Sequence, residues 1–272
     1  MVALLLSTTT ALLANDILVL GGRVIDPETG LDAICNVTTE GEKIVAISEH
    51  PLEGDVVIDA IAHVVSPGFI EMQSHGNNIG DYRMQVIQRV TTALELESGL
   101  VPIGDWYDGQ AKKNRPVNSG ASEGRVHSRI AASSETDPLA TVDFFTDAQG
   151  RTNWKSDIAN PERSERIMSL VEQGLRGDAL GIGVNAGYAP VYGHNEDVAR
   201  AELAKKYTVP TYIHVQYASI AVPPSPARIC IYANQRTVGV QTGVVNGGFS
   251  VRDGELVLDA PNGWPIRIAV AV

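Results

Sequence analysis

Three polar residues, Glu71, Gln73 and His75, alternate at the end of the stretch "SPGFIEMQSHG". Side chains on a β-strand repeat every two residues, so a strand through this stretch would present all three on one face. Imidazole and carboxylate groups presented together suit a divalent metal, which can activate water for attack on a carbonyl. Gln73 offers only a neutral amide oxygen, a weak ligand beside imidazole. The competing reading is an ordinary polar strand end.

Two more carboxylates, Glu95 and Glu97, share a face in "VTTALELESG". Glu97 lies nearer the strand's C-terminal end, where it could bind a metal or pair with an Arg. His214 ends the apolar run "TYIH", as a ligand or as a core histidine bonded to backbone.

These residues need strands to hold them, and the chain divides by style. From Asp16 to Val65 it reads as short strands and turns. "DILVLGGRVID" suggests strand, Gly-Gly turn, strand; "PETG" is a turn, and "NVTTEGEKIVAIS" a hairpin around Glu40-Gly41. After Pro67 helical and buried-strand patterns alternate. Ile167, Leu170, Val171 and Leu175 form an apolar stripe at helical spacing, Gly177 stops it, and "ALGIGV" is the next strand. "NEDVARAELAKKYTVPTYIHV" repeats the scheme with a turn at Thr208. Such a series predicts a parallel α/β layer, most simply a (β/α) barrel. Toward the C-terminus "VNGGFSVRDGELVLDA" returns to hairpins. The expected domains are residues 16–66 plus 236–272 as a composite β-sandwich, and 67–235 as the barrel layer.

The chain has 272 residues, 44% hydrophobic and 19% charged, which is the balance of a folded globular protein. Its 26 Gly and 14 Pro fit many turns. A net charge of -11 with no basic run argues against nucleic-acid binding. Cys35 and Cys230 are too few for a disulfide framework and read as buried small hydrophobes. Residues 1–15 form a signal-like or disordered leader; its first fourteen residues are apolar but lack a positive start and a good cleavage pattern. Cytoplasmic placement is the expectation and secretion the alternative. No segment reads as a membrane-spanning helix.

Taken together, "DILVLGGRVIDPETGLDA", "VVSPGFIEMQSHG", "VTTALELESG", "PTYIHV" and "VNGGFSVRDGELVLDA" resemble the amidohydrolase superfamily. Within it the N-acyl-D-amino-acid deacylases (D-aminoacylases) are the nearest match, on "TALELE" and the loop "GYAP". The resemblance implies a TIM-type barrel of metal-dependent hydrolases beside a small β-sandwich. It implies one zinc ion, with His75, Glu97 and His214 as ligands, and Tyr188 near the substrate. The substrate would be a small N-acyl amino acid or amide, hydrolysed at a non-peptide C–N bond by metal-activated water. His194 reads as an exposed loop residue; His50, His63 and His127 match no motif and read as structural or surface residues.

The departures are as informative as the matches. Glu71 stands where the family has Asp, Gln73 where it has the first His, and Arg89 where it has Gly before "VTT". Between Val215 and Arg252 there is no His or Asp, so the family's later His ligand and its proton-transferring Asp have no counterpart. A βα unit needs about 30 residues, so the barrel lacks about three units and would leave edges and helix faces to be covered. The expectation is a shortened, degenerate member with weak or no activity and a tendency to homo-oligomerise. Two alternatives stand beside it. One is a non-catalytic remnant that binds a full-length relative or a small acyl ligand. The other is a cyclic-amide hydrolase of dihydroorotase-like type.

Overall fold

A computed structural model describes residues 16–76, 78–113, 115–214, 243–246, 248–253, 255–258 and 263. Cys230 and the leader lie outside them, as does nearly all of the stretch from His214 to the closing strands. Two compact units separate, one reaching Pro67 and including Asn246–Gly248, the other holding the remainder.

The first unit is one sheet. β1 (Ile17–Asp26) pairs antiparallel with β2 (Leu31–Glu40), and β2 with β3 (Lys43–Ser48). β4 (Val56–Asp59) and β5 (Val64–Val65) run parallel to β1, giving the order β3-β2-β1-β4 with β5 also on β1. Val24, Cys35 and Val37 form its buried cluster, flanked by Val19, Leu31, Ala33 and Val65. The hairpin at Glu40-Gly41 is present, with Gly41 at φ 56°.

The expected Gly-Gly turn is absent: Gly21 and Gly22 lie inside β1, where the register with β2 shifts between Val19 and Gly22. Gly21 takes φ 65°, and its N–H donates to Asn36 Oδ1 at 3.0 Å. A Cβ on Gly22 would stand 2.5 Å from Val65. The two glycines therefore make a bulge that keeps one strand continuous.

The second unit alternates strands and helices. In chain order it comprises β6 (Phe69–Glu71), α1 (Ile79–Ile87), β7 (Val90–Leu100), α2 (Ile103–Ala111) and β8 (Asn118–Gly124). There follow α3 (Arg125–Ser134), α4 (Val142–Ala148), α5 (Asn153–Ser156), α6 (Pro161–Arg176), β9 (Ile182–Asn185), α7 (His194–Tyr207) and β10 (Thr211–His214). β6 to β10 form one parallel sheet in strictly sequential order. That is the arrangement of a (β/α) barrel carried through five strands, as expected.

Local signals set the element ends. Asn78 and Asp81 form a capping box at α1, and Asn160 with Pro161 starts α6. Gly177 closes α6, and Thr208 closes α7 in the left-handed conformation. Ile167, Val171 and Leu175 of α6 are fully buried with Ile103, Tyr107, Ile182 and Val184, so the main core lies between helices and sheet.

β11 (Gly243–Val245), β12 (Gly248–Arg252) and β13 (Glu255–Leu256) form a three-stranded sheet. Val251 is buried with Tyr82, Val86, Val90 and Val117, and Ser250 donates to the Pro116 carbonyl at 3.0 Å. Among the described residues no helix is long and apolar enough to cross a membrane.

Candidate functional site

The C-terminal half of β7 carries the two carboxylates, and each meets an imidazole. Glu95 is buried and takes His75 Nδ1 at 3.0 and 3.1 Å from its two oxygens. Glu97 is largely buried, with its Oε1 2.8 Å from Nδ1 of His214 at the end of β10. Gln73 Nε2 donates to the other oxygen of Glu97. The Tyr188 ring stands edge-on to His214 with centroids 5.6 Å apart. Asn185, at the end of β9, donates to Ser98 Oγ at 2.7 Å.

The expected residues are thus assembled in part. Glu97, His214 and Tyr188 come together. His75 is held by Glu95, one alternation short of Glu97. The reason lies in the backbone: β6 ends at Glu71, and Gln73 forms an antiparallel bridge with Glu95. Ser74 N–H then donates to the Leu94 carbonyl at 2.9 Å. The strict alternation that would have aligned Glu71, Gln73 and His75 stops with the strand. Glu71 is exposed and accepts the Gln73 N–H at 2.9 Å.

Electrostatics follow the pairing. Hydrogen bonding to the Glu95 carboxylate raises the His75 pKa, against the opposing effect of burial. Burial raises Glu95 in turn, with His75 pulling the other way.

A zinc centre needs three or more donors around one point. Among the described residues no group of three or more His, Cys, Asp or Glu is placed to hold a metal ion. Both oxygens of Glu97 are engaged by nitrogen atoms, one from an amide and one from an imidazole. As arranged, His75, Glu97 and His214 do not fit the ion, and both Glu97 oxygens already have side-chain nitrogen partners.

A second polar cluster, not anticipated from the sequence, lies at the start of α3. Arg125 Nη1 donates to Glu196 Oε1 at 2.6 Å, and Arg129 Nη1 to the other oxygen of Glu196. All three side chains are at most 2% exposed. Arg129 also donates to the carbonyls of Trp154 and Asp157, at 3.0 and 2.9 Å. The Arg125 guanidinium lies 4.2 Å from the Tyr192 ring centroid. Beside it, burial pushes the Glu123 carboxyl up to about 8, against the Ser128 hydroxyl that donates to it at 2.6 Å.

Burial drives His127 down to about 4, between Phe144 and Phe145 at centroid distances of 6.3 and 5.7 Å. His127 is therefore a core residue. His50, His63 and His194 are exposed. The available signal was the i,i+4 spacing of Arg125 and Arg129, which puts both on one helix face.

No family model matches the chain. A dihydroorotase of Streptococcus thermophilus is 38% identical over 84 residues, which are 30% of this chain and 19% of that protein. Among solved structures, a D-aminoacylase superposes with TM-score 0.60 at 19% identity, covering 74% of this chain and 45% of that one. An N-acyl-D-glutamate deacylase from Bordetella bronchiseptica, solved with zinc and a phosphonate inhibitor, gives 0.60 at 16% identity over 75% and 45%. The likeness to the solved structures is one of fold. The chain spans less than half the length of those enzymes. The amidohydrolase resemblance read from the sequence is borne out at that level, and the partial coverage fits a shortened barrel.

Proposed function

We propose that this chain is an amidohydrolase-type scaffold with weak or no hydrolysis of N-acyl-D-amino acids and zinc retention well below one ion per chain. The observation that carries this reading is the capture of Glu97 by Gln73 and His214. A ligand carboxylate with side-chain partners on both oxygens must give them up before it can hold a metal. The stretch from Val215 to Arg252 contains no Asp or His to move a proton to the leaving amine. The role is then non-catalytic: binding a small acyl ligand or a full-length relative through the retained barrel layer.

The test is elemental analysis of the purified protein together with assays on N-acetyl-D-amino acids. Substoichiometric zinc and background turnover are expected. Hydrolysis that disappears in His214→Ala would overturn the reading.

A second reading, a cyclic-amide hydrolase of dihydroorotase type, is favoured by the 38% identity over 84 residues. The same preparation assayed with dihydroorotate separates the two. Ring opening with no action on acyl amino acids selects the second.

A further inference from the structure

Arg125 is fully buried at the first position of α3, and its guanidinium is satisfied on one side only. Nη1 donates to Glu196, whereas Nε and Nη2 meet no acceptor among the described residues. Those two nitrogens form one edge of the planar group and point their N–H bonds the same way, as a fork for an anion. The Tyr192 ring lies against a face of the guanidinium and leaves this edge clear of it. A buried donor costs free energy until an acceptor meets it.

The helix end makes the same demand. α3 starts at Gly124 with no side-chain cap and no acidic residue in its first turn. The first N–H groups of a helix lack intrahelical partners and give that end a partial positive charge. Side chains on a helix lean toward its N-terminus, so the Arg125 fork and these amides share one region.

Charge decides between water and an anion. Arg125 and Arg129 share the single carboxylate of Glu196, and Arg129 directs its other nitrogens to the carbonyls of Trp154, Asp157 and Val191. Glu123 is the other acid at this helix end. Burial raises it to about 8, so it is protonated at neutral pH, and His127, lowered to about 4, is uncharged there. Glu123 Oε1 accepts from Ser128, while Oε2 has no partner and can donate its proton. Gly174 of α6 packs directly on Glu123, where any Cβ would collide with its side chain, so the region is closed on that side. Water would satisfy the fork but leave one positive charge uncompensated in the interior. An anion answers both needs.

We propose that the Nε–Nη2 edge of Arg125, at the N-terminus of α3, binds a small monovalent inorganic anion of the chloride class. Complete burial limits its size, and a single-atom ion suits a few convergent donors better than sulfate or phosphate, whose several oxygens would go unmatched. The site is separate from the Glu97–His214 pair.

Thermal melting of the full chain at neutral pH tests this, with chloride titrated against gluconate at constant ionic strength. The melting temperature should rise and saturate, with bromide able to replace chloride and sulfate without such an effect. Arg125→Lys keeps a cation for Glu196 but lacks the fork. It should weaken the apparent chloride affinity about tenfold or more. Crystals of the unaltered protein grown in bromide locate the ion without any variant, by an anomalous peak in contact with Arg125. A melting temperature that does not saturate with chloride overturns the proposal, because water or a protein group then fills the fork. An equal response in Arg125→Lys, or a bromide peak only elsewhere, overturns it as well.

Discussion

Glu97 and His214, 117 residues apart in sequence, meet at 2.8 Å across the ends of β7 and β10. The contact joins the second and fifth strands of the parallel sheet, which places both at the C-terminal rim where barrel chemistry is built. Gln73 completes the group from the segment that follows β6. A carboxylate held between an amide and an imidazole is stable without an ion.

Replacing that amide tests how much of a metal site is left. Gln73→His puts a second imidazole against Glu97 and removes the competing amide donor. Zinc affinity should rise at least about tenfold, the scale on which ligand-supporting groups act, read by elemental analysis after zinc dialysis. An unchanged zinc content would show that the surrounding geometry, and not residue 73, prevents binding.

The Arg125–Glu196–Arg129 cluster should be structural. Glu196→Ala leaves two buried guanidinium groups without their carboxylate, at a cost of about 3–5 kcal/mol. Urea unfolding measures it. A loss below about 1 kcal/mol would mean that water reaches the two arginines and replaces the carboxylate.

Two buried groups give stability opposite pH slopes. Glu123 is raised from 4.5 to about 8 in the folded chain, so the native state keeps a proton that the unfolded state has released. Its contribution to stability is full below about 4.5 and is lost as pH rises toward 8. His127 is lowered from 6.5 to about 4, so its contribution is full above 6.5 and is lost as pH falls toward 4. Glu123→Gln should flatten the alkaline decline and His127→Leu the acid one. Thermal melts from pH 4 to 9 are the measurement, and variant profiles parallel to the parent would refute the assignment.

Arg89 sits at φ 69°, in the left-handed region, between α1 and β7. The family resemblance places Gly at this position, and the backbone shows why: a side chain there costs about 1–2 kcal/mol. Arg89→Gly relieves that cost but adds freedom to the unfolded chain. The net gain should be up to about 1 kcal/mol in urea unfolding. A loss of stability would show that contacts of the arginine side chain outweigh the backbone cost.

The βα series was legible because apolar stripes and stops are local. Ile167, Val171 and Leu175 with Gly177 fixed α6, and Thr208 fixed the end of α7. β8 escaped notice because "NSGASEG" is buried on small and polar residues, so no apolar pattern marks it. Glu97 and His214 could be placed together from their strand ends alone. The pairing of His75 with Glu95 could not, since it follows from β6 ending two residues before Gln73. The buried arginines were hidden for a different reason. Their carboxylate partner lies 71 and 67 positions away, and a charged residue far from its partner looks like surface.

β10 contributes four residues and pairs only with β9 among the described strands, whereas β7 is eleven residues long and flanked on both sides. One half of the Glu97–His214 contact is therefore anchored and the other is tethered. Brief local openings should detach the His214 strand first, while Glu97 keeps its amide partner. In hydrogen–deuterium exchange, backbone amides of Tyr212 and Ile213 should trade protons well before those of Ala93 and Glu95. The carboxylate–imidazole pair would then behave as a latch that is repeatedly made and broken on a fixed frame.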